Sequence, residues 1–188
     1  MRHLVIGSFQ KDGNGWGKGL TPKLIKGPDI FINTLKVLNN EINDLYVLLT
    51  GPARGYVKKE LNKAGIPYSH FYNKTYSNIS KFYHALDLYM ITSREEGGPR
   101  AVLESMASGV PLVTTRVGQA MDIVQNGKNG WMVDSEDIEG LSFWAKYVRD
   151  NKNNLDNILL FARNTALNNC YSAQVPLWEK FMDGFVLK

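Results

Sequence analysis

The sequence predicts an α/β fold: a doubly wound, Rossmann-like sheet of six parallel strands, with helices on both faces and further helices appended at the C-terminal end. Three observations carry this. Short β-rich runs alternate with stretches of helical periodicity, the rhythm of βαβ units around a parallel sheet. The β-rich runs are almost continuously apolar, as strands covered on both faces require. Hydrophobic residues make up 44% of 188, enough for the core of one domain.

Residues 3–7 read as the first strand. Residues 28–39 read as a helix with Ile30, Phe31, Thr34, Leu35 and Leu38 on one face. A strand at 45–50 runs into Gly51-Pro52, and a helix at 56–64 is stopped by Gly65 and Pro67. A short strand follows at 68–72, then a helix at 79–86 and a strand at 88–92. The pattern continues with a helix at 99–107, a strand at 111–115, a short helix at 120–125 and a last strand at 131–133. Three helical stretches close the chain, at 138–149, 155–167 and 175–185. Right-handed crossovers wind such units into helices above and below the sheet. Ligands then bind outside the carboxyl ends of the strands, where the winding reverses. Ser8, Gly51, Ser93 and Thr115 stand at or just past such ends.

Composition excludes several function classes. No apolar run approaches the roughly 20 residues of a membrane-spanning helix, and residues 1–9 are too short for a secretory signal. Cys170 is the one cysteine, which leaves no internal disulfide and no multi-thiolate metal site. A cytoplasmic location is expected. The net charge of +4 is spread over scattered lysines, such as Lys58, Lys59 and Lys63 on a predicted helix and Lys11, Lys18 and Lys128 in loops. That spread fits solubility rather than nucleic-acid binding. Residues 13–19 hold four glycines and Trp16 and read as a loop. They form neither G-x-G-x-x-G nor a Walker A sequence, which argues against a dinucleotide-dependent dehydrogenase and a P-loop enzyme. His3, His70 and His84 show no ligand spacing, and His3 and His84 are expected to be structural.

The chemistry concentrates between Ser93 and Val133. Glu96 and Glu104 are separated by seven residues that begin Gly97-Gly98-Pro99. The first acid lies on the loop leaving a strand, and the second lies one to two turns into a helix expected to begin at Pro99. Proline suits the first helical position because its missing N–H would be unpaired there. Gly97 and Gly98 let a ligand approach the backbone, and the helix N-terminus favours an anion. Glu104 sits among Ala101, Val102, Leu103, Met106 and Ala107, where a carboxylate needs a partner. Arg100, four residues earlier, supplies one in the plain reading of a surface pair; a ribose diol supplies one in the functional reading. Glu96, taken in register with these residues, could accept hydrogen bonds from sugar hydroxyls and stabilise positive charge at an anomeric carbon. Lys26-Gly27 precedes the first helix, and a lysine reaching the same crevice would neutralise a diphosphate without a metal. Gly118, just past the strand at 111–115, could bring amides to the same anion. Arg100 and Arg116 are further candidates, though each reads more readily as surface charge.

Together these residues resemble the C-terminal half of a GT-B glycosyltransferase of the retaining, family 4 type. The resemblance runs from Leu4 to about Phe185 and is most specific in Glu96-x7-Glu104, SMASGVPLVTTRVG and NGKNGWMV. It implies that the chain, residues 1–188, is one donor-binding domain lacking an N-terminal acceptor domain, to be supplied in cis or in trans. It implies that Glu96 meets the donor sugar and Glu104 the ribose, that Lys26-Gly27 and the backbone of Gly97 and Gly98 grip the diphosphate, and that residues 70–73, Phe71 among them, meet the nucleobase largely through backbone atoms. Ser8, Pro99, Arg100 and Gly118 complete the expected donor site. The substrate would be a nucleotide diphosphate sugar, with no cofactor and no metal. The acceptor would belong to a capsule, lipid-linked or cell-wall glycan, and the full enzyme would work in the cytoplasm, with the inner membrane face left open. The last helix, with Pro176, Leu177, Trp178, Phe181 and Phe185, resembles the segment that returns to the N-terminal domain. The sequence also departs from the family. Its usual arginine after the first strand's glycine is replaced by Ser8, Phe9 and Gln10, with Lys11 beyond; Gly-Phe-Gly-Leu becomes Gly97-Gly98-Pro99-Arg100; and Gly-Gly becomes Gly118-Gln119, with Asp122 near it. Two further readings stay open: a binding module without turnover, and a sugar-nucleotide epimerase.

Overall fold

The computed structural model describes residues 3–15, 17–72 and 78–185. Its strands are β1 (Leu4–Phe9), β2 (Leu45–Thr50), β3 (Tyr68–Phe71), β4 (Leu88–Ile91), β5 (Leu112–Thr115) and β6 (Trp131–Val133). They form a six-stranded sheet in the order β3-β2-β1-β4-β5-β6, and each neighbouring pair is parallel. The doubly wound expectation holds. The winding reverses between β1 and β4, so the loops leaving these two strands splay apart and open a crevice at their carboxyl ends.

The helices are α1 (Pro28–Glu41), α2 (Gly55–Ala64), α3 (Ile79–Tyr83), α4 (Arg100–Ala107), α5 (Ala120–Ile123), α6 (Ile138–Asp150), α7 (Asp156–Asn168) and α8 (Tyr171–Met182). Strand alternation divides the core into two layers. Leu88 and Met90 of β4 join a cluster with α1, α2 and α6, including Ile30, Phe31, Leu35, Val57, Leu61, Leu141 and Ala145. Tyr89 and Ile91 of the same strand face the other way and join Tyr83, Val102, Met106, Ala120, Ala162 and Ala166 from α3, α4, α5 and α7. A short apolar run thus serves two layers, which is why it shows no amphipathic alternation in sequence.

Four helix starts differ from expectation, α2 and α7 by one residue each, at Gly55 and Asp156, and the other two with a structural reason. Pro99 is the N-cap of α4, with extended backbone (φ −68, ψ 102), and Arg100 is the first helical residue. Its fixed φ suits either position, and here its ψ keeps the loop extended for one more residue. The last helix begins at Tyr171 rather than 175, because the Cys170 carbonyl accepts from the amides of Ala173 and Gln174. Pro176 lies inside that helix. No residue of α8 is buried, and Trp178, Phe181 and Phe185 are exposed, so they do not pack on the sheet. Among the described residues, no helix is long and apolar enough to cross a membrane.

Candidate functional site

A cavity of about 550 Å³ lies at the switch point, and Lys11, Lys23, Lys26, Gly51, Pro52, Tyr72, Glu96, Gly98, Pro99, Arg100 and Glu104 are in its lining. Its apolar base comes from the ends of β1 and β4. Phe9, Tyr83 and Tyr89 pack there with ring centroids 4.9, 5.3 and 5.1 Å apart. The Phe9 amide donates to the Tyr89 hydroxyl oxygen at 2.9 Å. Burial pushes the Tyr89 phenol up to about 12 and the Tyr83 phenol well above its ordinary value, so both hydroxyls stay protonated.

Lys26 ends a single 3₁₀ turn, Leu24–Lys26, and Gly27 follows in the left-handed region at φ 60. A Cβ at Gly27 would stand 1.7 Å from the Thr92 carbonyl oxygen, so glycine there lets the turn dock against the end of β4. The Thr92 hydroxyl seals the contact by donating to the Gly27 carbonyl at 2.8 Å. This docking brings the Lys26 ammonium to 2.5 Å from Glu96 Oε2. The buried Ser93 donates its hydroxyl to Glu96 Oε1 at 2.9 Å, while its carbonyl accepts from the Thr115 hydroxyl at 2.6 Å. The Glu96 carboxylate is therefore aimed from both sides.

Glu104 enters the cavity from α4. Tyr83 donates its hydroxyl to Glu104 Oε2 at 2.9 Å. Burial raises the Glu104 carboxyl above the usual carboxylate range. Lys26, Glu96, Gly98, Pro99, Arg100 and Glu104, all expected from the sequence, meet in this one cavity.

Five other expected residues lie outside its lining. Ser8 is buried, with its carbonyl and hydroxyl oxygens engaged by the Arg54 guanidinium at 2.7 and 3.1 Å. Phe71 turns its ring to Phe82, 5.3 Å away, and Tyr72 takes its place in the cavity, since successive residues of an extended chain point oppositely. Residue 73 of that segment lies outside the described residues. Gly27 supplies backbone freedom behind Lys26. Gly97 and Gly118 form the wall behind Glu96. Gly118 has φ 42, and a Cβ on it would meet the Gly97 carbonyl oxygen at 2.0 Å; the Gln119 amide donates to that oxygen at 2.9 Å. The glycine at 118 thus permits two loops to touch.

Sequence reasoning missed Arg54 and Asp12. Arg54 is fully buried and donates to the carbonyls of Ser8, Gln10 and Thr50 at 2.7, 2.9 and 3.1 Å. Its Nη2 lies 3.1 Å from Asp12 Oδ2, with both side chains shut off from solvent. It ties the ends of β1 and β2 together beneath the cavity rim. No local pattern announces this pair, and Arg54 does not stand in for the arginine missing after Gly7. The lining cations are Lys11, Lys23, Lys26 and Arg100. Among the described residues, no group of three or more His, Cys, Asp or Glu is placed to hold a metal ion.

The family model described as "Glycosyl transferases group 1" matches residues 20–159. The lipopolysaccharide core biosynthesis mannosyltransferase LpsB of Rhizobium meliloti (strain 1021) is 27% identical over 171 residues, which cover 84% of this chain and 49% of that protein. The 2-deoxystreptamine N-acetyl-D-glucosaminyltransferase of Niallia circulans is 24% identical over 142 residues, covering 73% and 36%. The chain spans about half the length, or less, of these curated relatives. Among solved structures, HepE of Anabaena in complex with UDP superposes with a TM-score of 0.76 at 20% identity, over 97% of this chain and 49% of that one. The catalytic domain of the cholesterol-α-glucosyltransferase from Helicobacter pylori gives a TM-score of 0.73 at 16% identity, over 89% of this chain and 99% of that one.

Proposed function

Because the chain belongs to the group 1 glycosyl transferases, we propose that it is the donor-binding half of a retaining enzyme that moves a hexose from a nucleotide diphosphate sugar to a glycan or lipid-linked acceptor. The observation that carries this reading is the convergence of Lys26, Glu96 and Glu104 on one cavity at the switch point. Glu104 accepts hydrogen bonds from the ribose hydroxyls. Glu96 orients the sugar and offsets positive charge as the anomeric C–O bond breaks. The electron pair leaves with the diphosphate oxygen, and Lys26 and the opening turn of α4 neutralise that charge. No metal ion or cofactor is required on this reading. The acceptor half is supplied in cis or in trans, which accords with the half-length coverage of the relatives. Relatives named for lipopolysaccharide and capsular polysaccharide biosynthesis support an acceptor of that class and a site of action in the cytoplasm, with the full enzyme at the inner membrane face when its acceptor is lipid-linked.

Calorimetry with UDP, GDP and ADP tests the reading. One of them should bind, and Glu104→Ala should weaken it about tenfold or more, the worth of hydrogen bonds to a charged acceptor. No binding by any of the three would defeat the proposal, and so would an unchanged affinity in the variant. Binding accompanied by neither donor hydrolysis nor transfer, with the acceptor half supplied, would leave a binding module. An epimerase reading lacks support, since Glu96 and Glu104 are the acids of the lining and no described histidine joins them.

The raised Glu104 carboxyl gives this binding a pH dependence. The ribose needs the ionised form as acceptor, so affinity should fall as pH drops through a value above the ordinary glutamate range. The Glu104→Gln variant should be weaker and flat over the same interval. For stability of the free protein the sign is the reverse. The native state holds this proton more tightly than the unfolded chain, so the group's contribution is lost as pH rises from the ordinary carboxylate range through the raised value. Calorimetric titrations at successive pH values separate the unaltered chain from Glu104→Gln.

A further inference from the structure

Arg94 lies two residues before Glu96 and is not part of the cavity lining, yet its guanidinium is engaged on every side. Nη1 donates to the Leu24 carbonyl at 2.7 Å and to Asp29 Oδ1 at 2.9 Å. Nη2 donates to Asp29 Oδ2 at 2.7 Å, and Nε to Glu136 Oε1 at 2.6 Å. The Arg94 amide adds a bond to the Ile25 carbonyl at 2.8 Å. Leu24 opens the 3₁₀ turn that ends in Lys26, and Asp29 stands in the first turn of α1. One planar group therefore grips the chain on both sides of Lys26 while its own backbone leads into Glu96. Glu136, from the loop after β6, reaches it from a left-handed conformation at φ 68, which residues with a Cβ seldom adopt. Lys26 and Glu96 are 70 residues apart in sequence and meet at 2.5 Å. The contact of Gly27 with Thr92 and a bond from the Glu95 amide to the Ile25 carbonyl at 3.2 Å also join the two segments, but Arg94 alone reaches the chain on both sides of Lys26 with its side chain.

We propose that Arg94 is a positioning residue, whose fork of hydrogen bonds to Leu24 and Asp29 sets the register in which Lys26 faces the diphosphate beside Glu96. This rests on the proposed role of Lys26. The fork matters more than the charge, because a lysine offers one point donor where the bidentate grip on Asp29 needs two parallel ones. The three side chains are 25%, 28% and 62% exposed. Ion pairs so placed add little to global stability, so the effect should fall on ligand affinity rather than on folding.

The test is a double-mutant cycle read by calorimetry, using whichever of UDP, GDP or ADP binds the unaltered chain tightest and its monophosphate as control. Arg94→Ala should weaken the diphosphate about fivefold or more and leave the monophosphate within twofold. In a Lys26→Ala background the same change should cost less than twofold. Arg94→Lys should behave as Arg94→Ala does. Equal losses in both backgrounds, equal losses for mono- and diphosphate, or full affinity in Arg94→Lys would each overturn the proposal. Should Arg94→Ala fail to fold, Asp29→Asn removes one arm of the fork and should show a smaller loss with the same dependence on Lys26; no loss, or one independent of Lys26, overturns it equally. Absence of nucleotide binding to the unaltered chain would instead defeat the functional reading on which the inference stands.

Discussion

Arg54→Ala is expected to lower the free energy of unfolding by about 3–5 kcal/mol, the range for removing one partner of a buried ion pair. Urea unfolding near neutral pH measures it. The guanidinium is shut off from solvent, and its loss strands Asp12, whose carboxyl is equally buried. It also removes a donor from the carbonyls of Ser8, Gln10 and Thr50. Burial already raises the Asp12 carboxyl above its ordinary value, and Arg54 opposes that rise. In the variant the carboxyl should rise further, so the native state holds its proton more tightly than the unfolded chain does. The deficit should therefore shrink as pH falls through that raised value and grow as pH climbs above it. Arg54→Met combined with Asp12→Leu should recover part of the loss, since no lone charge remains, but not all of it, since three carbonyls still lack their donor. A variant as stable as the parent would show that the pair does not bind the loop after β1 to the sheet.

Glu96→Gln is expected to move turnover and nucleotide affinity in opposite directions. With the acceptor half supplied, transfer should fall on the order of 10²-fold, the scale of removing one preorganised electrostatic group at a reacting centre. Binding of the free nucleoside diphosphate should become tighter, by up to about 1 kcal/mol, the usual limit for a partly exposed ion pair. The reason is the contact between Lys26 and Glu96: the carboxylate competes with the diphosphate for the ammonium, and a neutral amide competes less. Ser93 can still donate to the amide oxygen, so the side chain keeps its orientation. If affinity fell together with turnover, Glu96 would be serving the nucleotide and not the sugar.

The order of elements and the segment that bears the acids are local properties, and the sequence carries them openly. Apolar runs of strand length between helical stretches are enough to call for a parallel sheet, and a parallel sheet wound in this way places its ligands at the strands' carboxyl ends. Glu96-x7-Glu104 with its glycines marks the right loop for the same reason, since turn chemistry and helix starts depend on neighbours a few residues away. Ser8, Gly118 and Phe71 fall outside the lining because a strand end or a family resemblance fixes a residue's place in the chain but not the direction in which it faces. Which way each faces depends on packing: Arg54 takes Ser8, the Gly97 carbonyl takes the space beside Gly118, and Phe82 takes the ring of Phe71.

Contacts between distant segments belong to the folded molecule alone. Lys26 with Glu96, Tyr83 with Glu104, Arg54 with Asp12 and Arg94 with Asp29 join residues 70, 21, 42 and 65 positions apart. No periodicity or spacing encodes them. They arise because the parallel sheet gathers the segments that follow β1, β2, β3 and β4 at the strands' carboxyl ends, where polar groups from distant parts of the chain come within reach of one another. Local chemistry thus selects the strands, the helices and the acidic motif, while the packing of loops and helices around the open sheet chooses the partners that aim and tune those acids.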